Sequence, residues 1–152
     1  MKYLKLYEDL LTKKMKIPKD IKRISDIFME NGYDLYIVGG AVRDFIIGHK
    51  PHDYDLVTNA QPRTIEHILS DYRLGLHGRH FAVIRVFTDE TPEGVEIASY
   101  RKDIAKGRDN KFDPDNPKVE YGRHITIRDD VLRRDLTCNA LYYDINKEKV
   151  VD

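Results

Sequence analysis

Residues 35–58 read LYIVGGAVRDFIIGHKPHDYDLVT, and this stretch decides the fold. Leu35 to Val38 is a short apolar run of the kind that forms a buried strand. It meets Gly39 and Gly40. Ala41 to Ile47 then has a helical pattern that Gly48 stops, and Tyr54 to Val57 predicts a second strand. Gly39, Gly40, Arg43, Asp44, Asp53 and Asp55 fall within seventeen residues. Folding alone rarely needs so many special residues so close together.

Each feature has a chemical and a plain reading. Asp53 and Asp55 stand two apart, so on a strand their side chains leave the same face. Adjacent carboxylates repel and call for a cation between them or a raised pKa. Oxygen donors of this type suit Mg²⁺, which takes one or two carboxylates together with substrate phosphates. The plain reading is a solvated turn after Pro51. Gly39-Gly40 lets the backbone approach an anion at a strand-to-helix turn, with Arg43 one turn on as a bidentate phosphate donor. The plain reading is a tight turn with an Arg43–Asp44 surface pair. Their succession, a phosphate cradle, an arginine and then carboxylates on the next strand, favours the chemistry.

Outward from this stretch, residues 3–13 predict a helix, and Pro18 opens another that carries Ile21, Ile24, Ile27 and Phe28 before Asn31-Gly32 ends it. Pro62 starts a helix through Leu69. His80 to Thr88 and Gly94 to Tyr100 form two β-rich runs joined by DETPE, a hairpin. Residues 101–124 have little periodicity and predict a polar loop. A helical turn over 127–134 and a hairpin over 142–151 follow. Interleaved but unequal helices and strands predict an α+β domain with a mixed sheet flanked by helices.

The 152 residues suit one domain, and 41% apolar content excludes a disordered chain. Lys+Arg and Asp+Glu number 26 each, so overall charge does not announce a nucleic-acid partner. One cysteine, Cys138, excludes an internal disulfide and fits a reducing, cytoplasmic location. No apolar run reaches a membrane span, and no signal peptide is visible. His52, His77, His80 and His124 have no zinc-site spacing.

GGAVRDFIIG followed by DYDLVT resembles the signature of the class II tRNA nucleotidyltransferases (CCA-adding enzymes) and bacterial poly(A) polymerases, within the polymerase-beta-like nucleotidyltransferase superfamily. VEIASYRKD resembles that family's strand bearing a third carboxylate. DDVLRRDLTCNALYYD resembles its Asp-x-x-Arg-Arg-Asp-Phe-Thr-x-Asn-Ala motif, with Leu136 for Phe and Cys138 at another apolar position. The three motifs occur in order, and the match runs from about Pro18 to Asp152.

The resemblance implies the polymerase-beta-like fold and assigns Asp53, Asp55 and Glu96 to catalysis and to two divalent ions, Mg²⁺ with Mn²⁺ as an alternative. It assigns the triphosphate to Gly39, Gly40 and Arg43, with Asp44 orienting Arg43 or reaching the ribose. Arg134, Asp135 and Asn139 would bind the sugar and phosphates of the incoming nucleotide, with Arg133 beside them. Without the family, Glu96 reads as an exposed strand residue, Arg133-Arg134 as a helix C-terminal pair, and Asp130 as a cap or structural partner. The implied reaction is template-independent, metal-dependent transfer of a nucleoside monophosphate from CTP or ATP to an RNA 3′-hydroxyl, tRNA first among the acceptors, with release of pyrophosphate.

Members of the family continue into helical neck, body and tail domains, and the neck reads the base through a Glu-Asp-x-x-Arg type motif. This sequence ends at Asp152 without them. The expectation is therefore a single head domain over 1–152, with 1–17 as a helical extension. It could be a stand-alone enzyme, a fragment, or a catalytic or RNA-binding subunit whose partner chain supplies neck and body. Transfer of the monophosphate to a protein or small molecule is the remaining alternative.

Overall fold

The structure is a computed structural model that describes residues 13–77, 83–103, 119–134 and 140–151. The helix expected over 3–13 falls almost wholly outside those residues. Helix α1 (Lys19–Glu30) follows Pro18, whose φ of −53° already suits a helix start. Its Ile21, Ile24, Ser25 and Phe28 are buried at three- and four-residue spacing. Its end is set by Gly32, at φ +76°. There the N–H groups of Gly32 and Tyr33 donate to the carbonyls of Met29 and Phe28, both at 2.9 Å. This Schellman arrangement needs the left-handed conformation that glycine adopts without penalty.

Strand β1 (Leu35–Val38) leads through Gly39 into helix α2 (Gly40–Ile46), then strand β2 (Asp55–Thr58) and helix α3 (Pro62–Ile68). Strands β3 (Arg73–His77), β4 (Val83–Phe87) and β5 (Val95–Ser99) come next. Two short strands, β6 (Lys102–Asp103) and β7 (Val119–Glu120), pair with each other. Helix α4 (Ile127–Leu132) precedes the closing hairpin of β8 (Tyr142–Asp144) and β9 (Lys149–Val151). The main sheet has the order β3-β4-β5-β2-β1-β8-β9. Its one parallel pair among the described residues is β2 with β5; the others are antiparallel. The mixed α+β sheet flanked by helices is thus observed.

Alternation along the central strands splits the core between two faces. Leu35, Ile37, Leu56, Ile84, Val86, Val95 and Ile97 join the buried residues of α1 in the larger cluster. Val38 and Val57 point the other way and pack with Tyr100, Ile125 and Tyr142 in a smaller one. A cluster that small leaves the second face only partly covered, and the charged side chains of the central strands emerge there.

Three expectations need correction. Strand β2 begins at Asp55, so Asp53 precedes the strand instead of sharing it. Strand β3 was not expected, because its Gly75 and two leucines give a weak strand signal. Gly75 is there for close packing: a Cβ would meet the Phe87 ring at 3.1 Å. The polar stretch from 101 also contains β6 and β7, pairs of residues too short to show periodicity. Among the described residues no helix is long and apolar enough to cross a membrane.

Candidate active site

Register sets the site. In the parallel β2–β5 pair, Asp55 stands directly beside Glu96. Glu96 in turn faces Arg85 across the antiparallel β4–β5 pair. On the other side Asp55 faces Val38 on β1, and Val38 faces Tyr142 on β8. Directly paired residues project from the same sheet face. The row Arg85–Glu96–Asp55–Val38–Tyr142 therefore crosses five strands on the face with the smaller apolar cluster. The third-carboxylate strand and the Asp-x-Asp stretch are neighbours, although forty residues separate them.

A cleft of about 880 Å³ opens at this row. Asp53, Asp55, Glu96 and Arg85 line it, together with Lys16, Lys19, Lys50, His52, Glu90 and Glu93. Partial burial, then the neighbouring charges of Glu96 and Asp53, push the Asp55 carboxyl above its ordinary range; Arg134 pulls it partly back. Four residues from three separate stretches thus share one electrostatic field. The Arg85 guanidinium forms an ion pair with Glu96.

The donor chemistry fits a divalent cation. Three carboxylates offer hard oxygen ligands, and the upward shift of Asp55 by two acidic neighbours marks an excess of negative charge that a cation would relieve. Among the described residues no three His, Cys, Asp or Glu side chains are already gathered as a metal-binding group. Glu96 is turned to Arg85.

The glycine turn lies at the end of β1, next to the row. Gly39 has φ +75° and ψ −133°, a backbone conformation that side chains disfavour. Its own N–H donates to the carbonyl of Leu141 at 3.1 Å, tying the turn to the strand β8 segment. Gly39 thus contributes conformation and not a free N–H, which sharpens the expectation of a backbone anion cradle. Arg43, in α2, donates from Nε and Nη2 to Asp44 Oδ1 at 3.0 and 2.9 Å. This is the Arg43–Asp44 pair that the plain reading of the turn expects. Gly39, Gly40, Arg43 and Asp44 are not among the residues lining the cleft.

Arg134 is held by a network built on Asp130, the residue expected as a cap or structural partner. Asp130 is completely buried at 0% exposure. Its Oδ1 accepts from Arg133 Nε at 2.8 Å and lies 2.7 Å from Nη2. Its Oδ2 accepts from Arg134 Nη2 at 2.9 Å and from the Tyr142 hydroxyl at 2.6 Å. Arg134 Nε also donates to Tyr142 Oη at 2.9 Å. Burial alone would raise the Asp130 carboxyl, but Arg133, the Tyr142 hydroxyl and Arg134 outweigh it and hold it below the ordinary range. The local fold helps: Thr126 and Asp129 form a capping box that starts α4 and presents Asp130 on its buried side. Asp135, Asn139 and Cys138 lie outside the described residues. Asp130 is the structural partner expected from the sequence; Tyr142 and Arg85 are not singled out there, and only the sheet register brings them into the row.

The poly(A) polymerase head-domain family matches residues 35–152. The chain is 33% identical over 134 residues to poly(A) polymerase I of Haemophilus influenzae, covering 84% of this chain and 29% of that one. It is also 33% identical over 134 residues to a CCA-adding enzyme of Lactococcus lactis, covering 86% of this chain and 32% of that one. In structure it resembles the Bacillus stearothermophilus CCA-adding enzyme in complex with CTP, with a TM-score of 0.69 and 26% identity. That alignment covers 91% of this chain and 30% of the other. The chain spans about three tenths of the length of the curated relatives it matches.

Proposed function

The chain belongs to the poly(A) polymerase head-domain family, and on that premise we propose that it transfers a nucleoside monophosphate from CTP or ATP to an RNA 3′-hydroxyl, tRNA first among the acceptors. The observation that carries this reading is the register of Asp55 beside Glu96, with Asp53 close enough to raise the Asp55 carboxyl. A structural surface has no use for a carboxyl that burial and two acidic neighbours hold above its ordinary range. A nucleotidyl-transfer site does.

In this reading Asp53, Asp55 and Glu96 hold the divalent ions, Mg²⁺ or Mn²⁺. Such ions, when bound, supply Lewis-acid stabilisation of the charge that develops on phosphate oxygens. The Gly39-Gly40 turn lets the triphosphate approach the backbone, and Arg43, aligned by Asp44, binds its oxygens. Arg134, steadied by Asp130 and Tyr142, binds nucleotide sugar and phosphates, with Asp135 and Asn139 as further contacts. The bond from the RNA 3′-oxygen to the α-phosphorus forms as the bond to the pyrophosphate oxygen breaks. Positioning and electrostatics suffice, and no covalent enzyme intermediate is required.

As proposed, residues 1–152 act as one head domain with 1–17 as its extension, in the cytoplasm. A second reading makes this head the catalytic or RNA-binding subunit of a split enzyme whose partner chain supplies neck and body. The test is incubation of the 152-residue chain with Mg²⁺, each labelled NTP in turn, and several RNA acceptors including tRNA. Labelled RNA lost in Asp53→Ala is the expected result. Label on protein or a small molecule instead would redirect the acceptor, and equal labelling by Asp53→Ala would sink the proposal.

A further inference from the structure

Arg85 has no part in the reaction as proposed above, yet the structure has prepared a place for it. It faces Glu96 directly across β4 and β5, and its guanidinium pairs with that carboxylate. Its aliphatic stem crosses Gly94, where a Cβ would come within 2.6 Å of Arg85 Cγ and 2.8 Å of Cδ. Gly94 also has φ +87°, so a side chain there would be strained as well as crowded. Arg85 Nε is buried and has no hydrogen-bond partner among the described residues. Both Arg85 and Glu96 line the cleft that contains Asp53 and Asp55.

A guanidinium paired with one of the three proposed metal ligands changes what a divalent ion meets. It repels the ion and occupies a carboxylate the ion needs. It also leaves donor capacity for an incoming anion, because the partly exposed Nη2 end of Arg85 is released once the Glu96 carboxylate turns to a metal. We propose that Arg85 is a positioning residue that holds Glu96 in the ligand-free chain and exchanges it for triphosphate oxygens when nucleotide and divalent ion enter together. The inference rests on the carboxylate row being the divalent site. It makes ion binding without nucleotide weak, and ion binding with nucleotide cooperative.

The test is Mn²⁺ binding to the 152-residue chain, read by electron paramagnetic resonance with and without a non-hydrolysable nucleoside triphosphate. Arg85→Gln is expected to bind Mn²⁺ alone about three- to tenfold more tightly than wild type, the scale of one partly exposed charge interaction. The same variant loses most of the tightening that nucleotide gives to wild type. Arg85→Lys retains the charge and stays near wild type, with thermal melts confirming that each variant is folded. The gain from Arg85→Gln disappears in an Glu96→Gln background, because the carboxylate at issue is gone. Equal Mn²⁺ affinity in wild type and Arg85→Gln overturns the proposal, as does a gain that persists without Glu96 or Arg85→Lys behaving as Arg85→Gln. No Mn²⁺ binding by wild type overturns it together with the metal reading. If no RNA is labelled but these Mn²⁺ shifts appear, the transfer reaction fails and the exchange at Glu96 stands.

Discussion

Asp55 and Asp130 are aspartates served by the same sheet face, and the molecule treats them in opposite ways. Asp130 is fully buried, yet two arginines and a tyrosine hydroxyl meet its oxygens and hold its carboxyl low. Asp55 is more open, yet burial and two acidic neighbours hold its carboxyl high. Arg134 belongs to both, donating to Asp130 and softening the field at Asp55. The difference separates structure from function. A carboxylate supplied with every partner it needs serves the fold; one left short of positive charge waits for something to bind.

The comparison breaks most visibly at Asp130. Asp130→Ala leaves Arg133 and Arg134 without their buried partner and is expected to cost about 3–5 kcal/mol of stability, measured by denaturant unfolding. Asp55→Asn should do the reverse: monophosphate transfer falls about 10²- to 10³-fold, the scale of losing one electrostatic group at a reacting centre, while the melting temperature does not fall. If Asp55→Asn unfolds the chain as Asp130→Ala does, the division between the two regions is wrong. Tyr142→Phe removes one hydroxyl shared by Asp130 and Arg134 and should cost about 1 kcal/mol.

Acid separates the two with opposite signs. The raised Asp55 carboxyl makes its charge unfavourable to the folded state at neutral pH. That penalty fades as pH falls through the folded pKa and is gone below the unfolded one. The lowered Asp130 carboxyl contributes stability above its unfolded pKa and loses it only as pH drops through its lower folded value. Stability curves of wild type and Asp55→Asn should therefore converge first on acidification, before the Asp130 contribution is lost. Convergence in the opposite order would reverse the two assignments.

Much of this was legible in the sequence, for reasons that differ by residue. Ile21, Ile24 and Phe28 announce α1 through their spacing, and Asn31-Gly32 announces its end. Asp53, Asp55 and Glu96 are visible because their residue types and motifs are chemical. Their adjacency is not, since a parallel β2–β5 pair forms only after α3, β3 and β4 have crossed over. Arg85 has no motif and gains its place from an antiparallel partner. Asp130 reads as a cap or structural partner, but the sequence does not name Tyr142, on strand β8, as one of the groups that meet it. Gly75 disguised β3 because the room it gives the Phe87 ring is a tertiary demand.

The most direct test of the central claim, that the Asp53, Asp55 and Glu96 carboxylates form a divalent-ion site, is the melting temperature as Mg²⁺ is added together with a non-hydrolysable nucleoside triphosphate. An ion that binds only the folded state raises stability with the logarithm of its concentration once that exceeds Kd. Wild type should shift upward with Mg²⁺, whereas Asp55→Asn, already relieved of one charge, should start at or above the wild-type value and shift little. Equal Mg²⁺ shifts in the two proteins would contradict the account.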